Sequence, residues 1–110
     1  MLIKNLYIKK YTNILDFIQK EKIIQYDLCE TINKDIVSYG IRMKSFCEGT
    51  YEEEFLLDIS DNKILVENII KYLYENSLDV INFKDAVSDL LFKLNEMEEK
   101  SKELNFKSDV

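Results

Sequence analysis

The chain has 110 residues, 46% of them apolar, with seven Tyr, six Phe, two Gly, no Pro and a formal net charge of −6. That length holds one small domain and that apolar fraction supplies a packed core, which excludes disorder of the whole chain. The lack of His removes Ser–His and Cys–His catalytic pairs and imidazole metal ligands, and a single Arg in an acidic chain argues against direct binding of nucleic acid.

Residues 1–21 admit two readings. Leu2, Ile3, Leu6, Tyr7 and Ile8 suit a short strand, whereas Tyr7, Tyr11, Ile14, Leu15 and Ile18 recur at helical spacing. The second pattern predicts a helix over residues 12–21, capped by Thr12 or Asn13. Next, Ile24, Tyr26 and Leu28 alternate with polar neighbours as a half-buried strand does. Asn33, Lys34 and Asp35 read as a turn. Val37, Tyr39, Ile41 and Met43 form a second strand, in which Gly40 marks a bulge or a close backbone approach. A turn at residues 47–50 leads to a third strand carrying Tyr51, Glu53, Phe55, Leu57 and Ile59 on one face.

Ser60 or Asp61 is expected to cap a helix running to Asn76, with Leu65, Val66, Ile69, Ile70 and Leu73 inward. Asn76 is tolerated in a left-handed cap. Asn82 then reads as the N-cap of a last helix, with Asp85 three positions on. Phe83, Val87, Leu90, Leu94, Met97 and Leu104 make one apolar stripe of that helix, broken only at Ser101. Residues 1–97 are therefore read as a single α+β domain and 98–110 as a polar, fraying tail. The fold class expected is a three-stranded antiparallel meander packed with two C-terminal helices and an N-terminal helix or strand.

Charge is spread unevenly. Residues 1–24 carry five Lys against two acids, and residues 51–110 carry fifteen acids against seven Lys. The acidic half can attract the basic head of its own chain or a basic partner. No apolar leader follows Met1, so the expected compartment is the cytoplasm, with Cys29 and Cys47 free. No apolar run reaches the ~20 residues of a membrane span.

Tyr39-Gly40-Ile41 in a strand, Asp58-Ile59-Ser60 before a helix, Leu73-Tyr74-Glu75-Asn76 at its end and Asp85-Ala86-Val87 in the next occur in an order that resembles a family of small uncharacterised clostridial proteins, known only as a domain of unknown function. Members tend to carry a Pro between the two helices, where this chain has none. The resemblance implies the fold and no activity.

No catalytic, cofactor or metal site is expected. Asp58, Ser60, Asp61 and Asn62 lack the spacing, Gly and terminal Glu of a calcium loop. Neither Cys has a basic neighbour in sequence to lower its pKa. Phe92 is the most informative residue, because it falls about 180° from the apolar stripe on a helical wheel. Around it lie Asp85, Asp89, Glu96, Glu99 and Glu103. An aromatic ringed by acids suits a partner-binding anchor; the bland alternative is that the basic segment bearing Lys4, Lys9, Lys10, Lys20 and Lys22 covers it. The function expected is an acidic partner-binding protein, regulatory or inhibitory, that occupies a basic surface of another protein. Nucleic-acid mimicry is its sharper version, since small phage-borne inhibitors of host defence are similar in size and acidity. A homodimeric scaffold joined through residues 90–104 is the other reading.

Overall fold

A computed structural model of the protein describes residues 1–15 and 18–108, with side chains described over 1–12 and 20–99. Four strands come first: β1 (Leu2–Leu15), β2 (Ile18–Asn33), β3 (Ile36–Cys47) and β4 (Thr50–Ser60). Two helices follow, α1 (Lys63–Glu75) and α2 (Val80–Ser108). The strands form one antiparallel meander in the order β1-β2-β3-β4. The class is α+β as expected, but the sheet has four strands rather than three.

The helix expected over residues 12–21 is not formed. Residues 12–15 end β1 and 18–21 begin β2, paired from Thr12↔Glu21 to Leu15↔Ile18; residues 16 and 17 lie outside the described part. Tyr7 and Tyr11 fit a helical stripe, but they also flank Lys9 on one face of a strand opposite Tyr26, Ile24 and Lys22. The ladder with β2 satisfies a whole strand of backbone groups, which outweighs weak local helix preference. β3 extends only as far as the Lys22↔Cys47 pair, so the outer part of the β1–β2 hairpin has no third strand beside it.

Even-numbered β2 residues Ile24, Tyr26 and Leu28 face the helices, as do Ile41 and Met43 of β3. They pack with Val66, Ile69, Ile70 and Leu73 of α1 and with Val80, Phe83 and Val87 of α2 in one core. Tyr26, fully buried, satisfies its hydroxyl by donating to the Leu78 carbonyl at 2.8 Å. Tyr74 at the end of α1 stacks on Tyr7 and meets Tyr26 edge-on, joining β1 to the helices.

Two irregularities shape the sheet. In β1 the register shifts between Asn5 and Tyr7. In β4 three residues, 57–59, stand opposite Gly40 alone, and Asp58 there has φ +54°. A Cβ on Gly40 would sit 2.5 Å from the Leu56 carbonyl oxygen, so the close backbone approach expected at this glycine is present.

The helix caps differ from expectation by one or two residues. Asn62, not Ser60 or Asp61, caps α1, its side chain accepting from the Leu65 N–H at 3.2 Å. The left-handed residue after α1 is Ser77 (φ +53°) and not Asn76 (φ −95°). α2 starts at Val80, two residues before the expected cap Asn82, with Asp79 accepting from the Val80 N–H at 2.7 Å. Its backbone continues as helix to Ser108, through the segment expected to be a polar tail.

Candidate functional site

α2 turns Phe83 and Val87 into the core, half-buries Leu90, Leu91 and Leu94, and leaves the opposite side open. Phe92 lies on that open side with 64% of its surface exposed. Asp85, Asp89, Glu96 and Glu99 are exposed around it, and none of the four forms an ion pair among the described residues. Glu103 belongs to α2, but its side chain is outside the described set. Met97, at 66% exposure, shows that the expected stripe leaves the core after Leu94.

Three lysines of the basic head, Lys9, Lys20 and Lys22, are engaged elsewhere. Lys9 donates to the Tyr74 carbonyl and, at 2.8 Å, to the Ser77 hydroxyl, placing a cation at the negative end of α1. Lys22 pairs with Asp79 at the start of α2, and Lys20 lies 3.9 Å from Glu48. Burial alone would lower the Lys22 pKa, but the hydrogen bond and charge of Asp79 raise it above its ordinary 10.5. The Lys9 and Lys22 contacts close the turn between the helices.

One residue of this surface escaped the sequence reading. Ile81 is 81% exposed, and eleven residues separate it from Phe92, about three helical turns. The two apolar side chains therefore stand in line on the outer side of α2. Beside Ile81, an open groove of about 410 Å³ runs between α2 and the acidic start of β4, lined by Glu52, Glu53, Glu54, Val80, Ile81 and Lys84. Lys84 bridges it to Glu54 at 3.0 Å.

Of the residues weighed for other chemistry, Asn62 and Ser60 have structural tasks. Asn62 caps α1, and the Ser60 hydroxyl accepts from the Asn62 N–H at 3.0 Å. Cys29 is buried and free, and burial pushes its thiol pKa up despite nearby Arg42. Cys47 is half-buried and free. No group of three or more metal-ligating side chains occurs among the described residues, and no described helix is long and apolar enough to cross a membrane.

On the sheet face away from the helices, Asp27 is fully buried without any described element over it. Arg42 donates to Oδ2 through Nε at 2.8 Å, and its Nη2 forms an ion pair with the same oxygen at 2.8 Å. Asn5 donates to Oδ1 at 2.9 Å, and Gln25 donates to both oxygens at 3.0 and 3.1 Å. The carboxylate is thus held by side chains of β1, β2 and β3 together.

A family described as "Family of unknown function (DUF6514)" matches residues 7–93, most of the chain. The chain belongs to this family. The DUF6514 match spans the sheet from Tyr7 onward, α1 and the first half of α2, and stops one residue beyond Phe92. Asp85, Asp89 and Phe92 lie inside it; Glu96, Glu99 and Glu103 lie beyond it. No curated protein and no solved structure matches the chain.

Proposed function

We propose that this DUF6514 member is a small partner-binding protein, regulatory or inhibitory, that covers a basic surface of another protein with the outer side of α2. The observation that carries this reading is Phe92, 64% exposed in the middle of a helix and ringed by Asp85, Asp89, Glu96 and Glu99. A large aromatic exposed among carboxylates on a helix side gains little for folding, but suits a pocket with a charged rim. Ile81 supplies a second apolar contact three turns away.

The mechanism is steric and electrostatic. Carboxylates on the outer side of α2 meet Lys or Arg of the partner, and Phe92 fills a pocket. The sharper version is nucleic-acid mimicry, in which these carboxylates take the places of phosphates on a nucleic-acid-binding protein. On a straight helix Asp85 and Asp89 are about 6 Å apart along the axis, and Asp89 and Glu96 about 10 Å. A rigid helix keeps such a row in place without the entropy cost of ordering a loop.

The test is capture from the native host lysate in the cytoplasmic fraction, the compartment this reading assumes. Wild type runs beside Phe92→Ala and beside a bait with Asp85, Asp89, Glu96 and Glu99 changed to Asn or Gln. A protein held by wild type and lost by the charge-changed bait is the expected result. Equal capture by all three baits contradicts the reading, because the outer side of α2 would then not be the contact.

A further inference from the structure

The face of the sheet away from the helices is built from rows that the register defines. Asn5, Asp27, Arg42 and Phe55 form one row; Ile8, Gln25, Lys44 and Glu53 the next; Lys10, Ile23, Phe46 and Tyr51 the third. Ile3, Cys29 and Gly40 continue it at the other end. No described element covers these rows. Yet Ile8 and Tyr51 are about half exposed, and Phe46, Phe55 and Ile3 more than a third. An antiparallel sheet normally presents polar side chains on such a face.

The face also differs from the rest of the molecule in charge. Its rows carry three basic and two acidic side chains, on a chain whose net charge is −6. Two copies repel each other over most of their surface, and this face is where that repulsion is absent. At its centre Asp27 has both oxygens hydrogen-bonded and Arg42 is paired, so covering them strands no buried charge. Four strands about 4.8 Å apart and four side-chain rows about 7 Å apart give a flat footprint of about 500 Å² per copy. With side-chain relief added, that is the scale of the ~800 Å² per partner of a standard stable interface.

We infer that this open sheet face is the contact surface for a second copy of the chain, giving a two-sheet sandwich with the helices outermost. The two-fold axis runs parallel to the strands between β2 and β3. That axis lays β1 of one copy over β4 of the other and superposes each Asp27–Arg42 pair on its own reversed image, so opposite charges face each other. Phe46 then meets Ile23 across the interface, and Ile8 lies over Glu53. The inference goes beyond the partner reading for α2, because in this dimer both α2 helices stay on the outside. It can fail without that reading failing.

Light scattering on the full chain across the micromolar range tests it, with a far-UV spectrum and thermal melt confirming that each variant is folded. Wild type is expected to double its mass with rising concentration. Phe46→Glu abolishes the doubling. The decisive comparison is at Ile8, where both substitutions remove the same apolar group. Ile8→Glu, set against Glu53 of the other copy, weakens association about tenfold or more, whereas Ile8→Lys leaves it as tight or tighter. A wild type that stays monomeric at every concentration overturns the inference. So does a dimer indifferent to Phe46→Glu and Ile8→Glu but lost with Phe92→Ala, which would place self-association on α2.

Discussion

Asp27 and Arg42 are the most constrained polar pair among the described residues. Removing Arg42 leaves a fully buried carboxylate held only by the amides of Asn5 and Gln25. Arg42→Ala is therefore expected to cost about 3 kcal/mol, read as a lower urea midpoint at an unchanged slope; a loss under half that would show the amides to be sufficient. Gly40 is constrained by space instead. Any Cβ there meets the β4 backbone at 2.5 and 2.7 Å, and backbone cannot swing aside as a side-chain tip can. Gly40→Ala is expected to cost about 1–3 kcal/mol, measured the same way, whereas Gly49→Ala has open space and is strained only by its positive φ of +81°.

At the scale of elements, α2 divides into a half that folds the protein and a side that does not. Phe83 is fully buried and Phe92 largely exposed, nine residues apart on the same helix. Phe83→Ala should cost about 3–5 kcal/mol, and Phe92→Ala should stay within about 0.5 kcal/mol of wild type in the same melt. Equal costs would mean that Phe92 is covered. Much of this was legible in the residues. Alternation marked β3 and the existence of β4, but the single face expected from Tyr51 to Ile59 is split by the bulge at residues 57–59: Ile59 packs on the core, whereas Tyr51, Glu53 and Phe55 lie on the open side. Four-three spacing marked both helices, because each buries one face and repeats with its own period. Of the β1–β2 hairpin, the alternation of Ile24, Tyr26 and Leu28 marked β2 and Leu2 to Ile8 admitted a strand, but the outer part was not legible, since Tyr7, Tyr11, Ile14 and Ile18 satisfy a helical period while lying in paired strands. Ile81 was missed because α2 begins two residues before Asn82, the better cap by composition. The open sheet face was hidden by the shift between Asn5 and Tyr7. It moves the outward positions of β1 from Ile3 and Asn5 to Ile8 and Lys10, which breaks simple alternation.

For the whole molecule, the titrating groups with clear shifts act in one direction. Burial raises Cys29 above 9.0 and Tyr26 above 10.0, and Asp79 outweighs burial to raise Lys22 above 10.5. In each case the unfolded chain releases its proton first as pH climbs, so the folded state loses ground. Stability should hold level from neutral pH to just below 9.0 and fall steadily above it, as urea unfolding at stepped pH would show. A rise in that window would contradict the assigned contacts. The same charges bear on recognition. Lys9 and Lys22 of the basic head are held at the turn between the helices, while the outer side of α2 keeps Asp85, Asp89, Glu96 and Glu99 exposed. The most direct test of the partner reading is the affinity of wild type for its captured protein as a function of added salt. A steep loss across the physiological range, flattened when Asp85, Asp89, Glu96 and Glu99 are neutralised, is the result expected of a carboxylate surface on a basic one. An affinity that salt leaves unchanged would contradict it.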